Sequence, residues 1–361
     1  MRKSFLTALA MAAAVTQSAP AHAIEDFTPF VRSSIETYIR PAFSAFADTT
    51  SRLPDAVEAV CDHPTPQSQA LFASLYGDVV ASFGGISFLR FGPLIDDHRL
   101  DSLAFMPDPR GIAQRQIRKT FASDDTSFTD PKKLREKSVA LQGLTALQLI
   151  AFDGNGVVTL GNADTPQGDV CGYALAISKN VAAIASTTNA EWQDPSGYSD
   201  ELLNPRSNSQ IRTPKEAIET IFNALVTGLI VIKDQELLPT LGTDIKKARG
   251  TRFPFSRSQN GRRYVMAELN GIQNALNAAR FGDVLGDDFK WIPQSLSFEF
   301  DNGQSWLASI DQPIRQSIKD PGVYGKLGLL TITINSLRDT MALELAGALG
   351  LSGGFNALDG D

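Results

Sequence analysis

Residues 31–46, "VRSSIETYIRPAFSAF", set Val31, Ile35, Tyr38, Ile39, Ala42, Phe43 and Phe46 on a spacing of three and four. A period of 3.6 residues brings those positions to one face, so the stretch predicts an amphipathic helix whose apolar stripe needs a partner. Pro41 interrupts it, and a kink is expected there because proline lacks the ladder N–H and crowds the carbonyl four residues back. The same spacing recurs in Leu71, Leu75, Val79 and Phe83, in Val170, Tyr173, Ile177, Val181 and Ile184, and in Ile218, Ile221, Phe222, Leu225 and Leu229. Stripes of this kind are packing faces of a helical bundle.

The fold class expected is therefore all-α with minor strand content. Helices are predicted near 29–50, 66–86, 109–153 in pieces and 170–188, then near 214–235, 260–281, 303–318 and 326–349. Thr213-Pro214-Lys215-Glu216 opens the second set with a capping-box pattern and proline in the first turn. The segment 191–212 before it is rich in Ser, Asn, Pro and Asp and reads as a linker or long loop. Two four-helix-bundle-like domains follow, 24–190 and 213–361, a balance that suggests an internal duplication although no repeat stands out in the sequence. The short "GNGVVTLG" at 154–161 reads as a hairpin or loop.

Residues 1–23 predict a signal peptide. Arg2 and Lys3 precede an apolar run from Phe5 to Val15, and Ala21-His22-Ala23 offers a small-x-small cleavage site after Ala23. The run falls short of the roughly 20 residues that span a bilayer, and no later segment is that long without charges. An exported chain of the periplasm or cell envelope, with no transmembrane segment after cleavage, is the expectation. Loss of Arg2 and Lys3 with the leader takes the formal charge from −7 to −9. Nucleic acid is excluded as a partner, because phosphate binding requires clustered Lys and Arg. Cys61 and Cys171 are the two cysteines, and an oxidising compartment favours a disulfide between them, worth about 2–4 kcal/mol.

The chain has no HExxH, Walker A or CxxC motif. Gly154 and Gly156 lack the third glycine of a dinucleotide loop, since Thr159 stands there, and they read as a turn. After the leader only His63 and His98 remain. His63 lies in "CDHPTP", where the prolines that follow it forbid a helix, and it reads as a surface loop residue. His98, with Asp96, Asp97 and Asp101, reads as a solvated acidic turn, against the alternative of a hard-cation site.

The least ordinary stretch is 88–116, which gathers Arg90, Arg99, Arg110 and Arg115 with Phe91, Phe105, Met106 and Asp108. Two readings stand for Arg90, Asp108 and Arg110: they pin a loop to the bundle, or they bind a ligand.

Leu89-Arg90-Phe91-Gly92-Pro93-Leu94, "FMPDPRG" at 105–111, "KSVALQGLTALQLIAFDG" at 137–154, "RFPFSRS" at 252–258 and "LGLSGGFNALDGD" at 349–361 occur in this order. Together they resemble the imelysin-like family, also called peptidase family M75. The resemblance implies a cell-envelope protein of two helical bundles, some members of which are linked to iron uptake, with a functional site between the bundles. The family signature GxHxxE falls here on Gly143, Thr145 and Gln148. Thr cannot ligate a transition metal as imidazole does, and Gln is neither an anionic ligand nor a general base. Both still offer hydrogen bonds.

The resemblance thus implies a non-enzymatic binding or accessory component, with no catalytic residue, no metal and no cofactor. Gly143, Thr145 and Gln148 are the candidate site, with Arg90, Asp108, Arg110, Arg257 and Ser258 from the facing loops. Its partner would be a small ligand or an envelope protein. A metallopeptidase drawing its catalytic groups from elsewhere, and a structural partner in a periplasmic or outer-membrane assembly, are the alternatives.

Overall fold

In the computed structural model, which describes residues 26–162, 169–207 and 209–352, Pro41 sits two residues beyond a π turn, Ile35–Ile39, inside a continuous helix over 28–51 (α1). Arg40 N–H reaches back five residues to Ile35 O. The expected kink is thus a widened turn, which gives the proline ring room that a regular α-turn denies it. The same device recurs in the helix over 214–241, where the π turn Ile232–Leu237 precedes Pro239 and Leu238 N–H reaches Lys233 O.

Along the first half, α1 is followed by α2 (Leu53–Asp62), α3 (Pro66–Gly84), α4 (Arg99–Leu103), α5 (Ile112–Phe121), α6 (Gly143–Ala151) and α7 (Val170–Gln193). The second half carries α8 (Tyr198–Leu203), α9 over 214–241, α10 (Gly261–Ala278), α11 (Ile292–Ala308) and α12 over 321–349. Helices α1, α2 and α6 pack on α7 and α3 packs on α1 and α2, while α9, α10, α11 and α12 pack on one another. The groups meet where α3 lies on α10 and where α1 lies on α9 and α10. One apolar core runs through both. The fold is all-α; among the described residues the only β-type pairing is a single bridge between Phe152 and Val158.

Several boundaries differ from expectation. The helix expected at 303–318 begins at Ile292, because Ile292, Leu296, Phe300 and Leu307 form the buried stripe and Pro293 is suited to a first turn. In α3 the buried face runs through Phe72, Tyr76, Val79 and Phe83, leaving Leu71 63% exposed. Thr213 Oγ1 accepts from Glu216 N, as a capping box requires, but the Glu216 carboxylate takes the N–H of Arg212 rather than that of Thr213. Segment 191–212 holds the end of α7 and all of α8, with Trp192 and Leu202 buried. The expected disulfide joins Cys61 at the end of α2 to Cys171 at the start of α7. The expected signal peptide, and most of the 349–361 motif, lie outside the described residues.

Candidate functional site

Helix α6 begins where no side chain fits. Gly143 has φ +73°, and a Cβ there would stand 2.3 Å from the carbonyl oxygens of both Ser102 and Leu103 at the end of α4. Glycine lets the two backbones touch, and the contact sets the register of α6 against the 88–116 segment. Tyr76 from α3 donates its hydroxyl to Leu144 O at 2.8 Å and fixes the same turn from the other side.

With α6 so placed, Thr145 and Gln148 face two different loops. Phe105 N–H donates to Thr145 Oγ1 at 3.1 Å. Ser258 N–H donates to Gln148 Oε1 at 3.3 Å, and Ser258 Oγ lies 3.5 Å from the same atom. Both side chains are buried, so each contact satisfies a polar group that would otherwise cost about 1–3 kcal/mol. These two residues hold loop groups at the junction of the helix groups.

Other contacts tie down the same loops. Arg99 forms an ion pair with Glu191 on α7, Nη2 to Oε1 at 2.9 Å, and donates to Pro93 O. Asp108 spends both carboxylate oxygens on the first turn of α5, accepting from Ile112 N at 2.8 Å and Ala113 N at 2.9 Å. Arg257 Nε donates to Phe152 O at 2.6 Å. Arg110 is exposed. At 153–157 Asp153 accepts the amides of Asn155 and Val157, closing the expected turn and holding its own carboxyl below the usual range.

Between the two loops lies a cavity of about 670 Å³. Thr145, Gln148, Arg90, Asp108 and Arg257 line it; Gly143, Arg110 and Ser258 do not. Arg249, Arg252 and Arg315 complete a set of five guanidinium groups on its wall, against the carboxyls of Asp101, Asp108, Asp234 and Glu236. Arg257 and Arg315 are close enough that burial and mutual repulsion lower the affinity of Arg257 for its proton.

Across the cavity from α6 is a cluster that the sequence reading did not single out. Glu236 sits in the π turn of α9, and Glu268 stands behind it on α10; they are 7% and 2% exposed. Burial, and then each other's charge, pushes the Glu236 carboxyl well above its usual range, and burial raises Glu268 too. Ser87 Oγ donates to Glu268 Oε1 at 3.0 Å, and the Tyr264 hydroxyl lies beside the same carboxyl. Glu236 Oε2, Glu268 Oε2 and Arg90 Nε are all buried with no hydrogen-bond partner. The missed signal was positional: Glu236 continues the stripe of Leu225, Leu229 and Ile232, and Glu268 falls between Val265 and Leu269 on the core face of α10.

A family profile described as Imelysin matches residues 39–338. An imelysin-like protein from Psychrobacter arcticum 273-4 superposes with a TM-score of 0.75 at 16% identity, over 91% of this chain and 97% of that one. A putative iron-regulated protein A precursor from Parabacteroides distasonis ATCC 8503 gives a TM-score of 0.69 at 11% identity, over 87% of this chain and 95% of that one. Comparison with curated proteins gives no match. At such identities the structural likeness carries the fold alone, but the profile spans most of the chain, and the chain belongs to the imelysin family, Peptidase_M75.

Proposed function

We propose that this chain is an exported, non-enzymatic binding component of the cell envelope that holds a small anion in the cavity between its helix groups. The observation that carries this reading is the charge of the wall. Five arginines line the cavity, against the carboxylates of Asp101, Asp108 and Asp234 and a Glu236 held toward its neutral form. In a chain of net charge −7 that leaves a locally positive cavity, which attracts anions of low charge and favours them over cations. Arg249 and Arg252 make no hydrogen bond or ion pair through their side chains among the described residues, so their donors stand ready for a ligand.

The altered signature fits the same reading, because Thr145 and Gln148 are committed to loop amides and supply neither an anionic metal ligand nor a general base. An association with iron acquisition is part of the proposal. Its support is family membership and the iron-regulated name of one structural neighbour. Among the described residues no helix is long and apolar enough to cross a membrane.

Calorimetry of the chain lacking residues 1–23, titrated with oxalate, sulfate and glycerol, tests this. Both anions should give heat where glycerol gives none, and Arg249→Gln with Arg252→Gln should weaken anion binding at least about tenfold. No binding of any anion would overturn the reading. Chelator-sensitive peptide cleavage by protein that keeps a stoichiometric metal through dialysis would replace it with the metallopeptidase alternative.

A further inference from the structure

Two carboxyl groups that each leave one oxygen unpartnered in the same buried place are unusual. An ionised carboxylate only accepts hydrogen bonds, so neighbouring carboxylates satisfy one another only when a proton lies between them. Glu236 and Glu268 are such neighbours, and each has an Oε2 that no other group serves. A single shared proton leaves the pair with one negative charge, which Arg90 offsets. Arg90 itself is only half engaged: it lines the cavity, Nε is buried without a partner, and no described residue takes a hydrogen bond from its guanidinium.

We propose that Arg90 anchors an oxyanion of the ligand at this wall of the cavity, and that the Glu236–Glu268 pair takes up a second proton as the oxyanion binds. The inference rests on the anion-binding reading above. Its logic is charge balance. With one proton on the pair, the Arg90 charge is already matched, and an incoming anion meets a neutral wall. A second proton, delivered from solvent, frees the guanidinium for the ligand, so anion and proton bind together. The step forms an O–H bond on one carboxylate and a charge-assisted hydrogen bond from the guanidinium to the ligand, and it breaks no covalent bond in the ligand.

The groups facing the pair are few. Tyr264 lies on α10 one turn before Glu268, with its own proton held more tightly by burial and by both carboxyls. Ser87 and Arg90 come from the segment after α3. On the chain just before Glu236, Lys233 and Asp234 pair with each other at 3.5 Å. Among the described residues Arg90 is a cation that favours the charged form of both carboxyls, so the proton count responds to Arg90 and to whatever occupies the cavity beside it. Glu236 lines that cavity while Glu268 lies behind it, which makes Glu268 a positioning residue through its bonds to Ser87 and Glu236.

Oxalate and sulfate are suitable probes because neither titrates between about pH 6 and 8, so any proton linkage belongs to the protein. Calorimetry of the unaltered chain lacking residues 1–23, in two buffers of different ionisation enthalpy, should show uptake of up to one proton per anion bound. Affinity should rise as pH falls, by up to about tenfold per unit where the pair titrates. The tighter of the two probes identifies the oxyanion as planar or tetrahedral. Arg90→Gln should cost at least about tenfold in affinity, and Glu236→Gln should flatten the pH profile to within about twofold while leaving binding measurable. Anion binding that responds to Arg249→Gln and Arg252→Gln but takes up no proton and ignores Arg90→Gln would overturn this inference and leave the anion-binding reading in place. No anion binding at all would remove both. The proton count on the unaltered chain decides the matter even if Glu236→Gln does not fold.

Discussion

The two polar walls of one cavity have been treated oppositely by the fold. On the α6 wall, Thr145 and Gln148 are closed off: each spends its oxygen on a backbone amide of a facing loop, and Gly143 locks the helix against the end of α4. On the α9–α10 wall, Glu236, Glu268 and Arg90 keep buried atoms with no partner. A satisfied polar group rigidifies, whereas an unsatisfied one costs free energy until a proton or a ligand reaches it. Gly143, Thr145 and Gln148 act as architecture, and the buried groups left without partners are Glu236, Glu268 and Arg90.

Breaking the closed wall should have the largest effect. Gly143→Ala places a methyl against two carbonyl oxygens and forces a non-glycine residue to φ +73°. Strain of that type costs about 1–3 kcal/mol, and the backbone clash adds to it, so a loss of at least about 3 kcal/mol is expected in urea denaturation. A loss below about 1 kcal/mol would show that α6 can shift away from α4. Thr145→Val keeps the shape but strands the N–H of Phe105. It should cost about 1–2 kcal/mol, while Thr145→Ser stays close to the unaltered protein and oxalate affinity changes less than twofold with either. A large affinity loss with unchanged stability would mean that Thr145 meets the ligand after all.

How much of this was legible in the sequence depends on which periodicity was asked to carry it. Apolar stripes located α1, α3, α7 and α9, because burial of an entire face leaves a repeating signature. They misplaced α11, where Phe298 is 63% exposed and the true stripe starts at Ile292, before the expected boundary. Short-range chemistry read well: Pro41 marked a helix irregularity, Thr213 a cap, and Cys61 with Cys171 a bond. The family resemblance marked Thr145 and Gln148 as a site, but nothing in an apolar helix says which loop will cover it. Glu236 and Glu268 were legible but overlooked. A carboxylate at a core position of an otherwise apolar stripe is the more informative residue, because burying it is costly unless something compensates.

The smallest expected effect sharpens the comparison most, because its sign differs between the walls. Glu236 and Glu268 both hold their protons more tightly in the folded chain than a free glutamate does, through burial first. A group whose proton affinity rises on folding contributes its full stability below its unfolded value, 4.5 for these residues, and loses it as pH climbs through the folded value, which for Glu268 is about 7. The unaltered chain should therefore lose stability between about pH 5 and 8 from this pair. Glu236→Gln stays neutral and removes part of that loss. Its stability should match the unaltered chain near pH 4.5 and exceed it by on the order of 1 kcal/mol at pH 8, read from thermal melts across that range. On the α6 wall the equivalent removal of a polar oxygen destabilises at every pH. If Glu236→Gln also destabilised at every pH, the carboxyl would be a charged structural partner of Arg90, and the two walls would be alike.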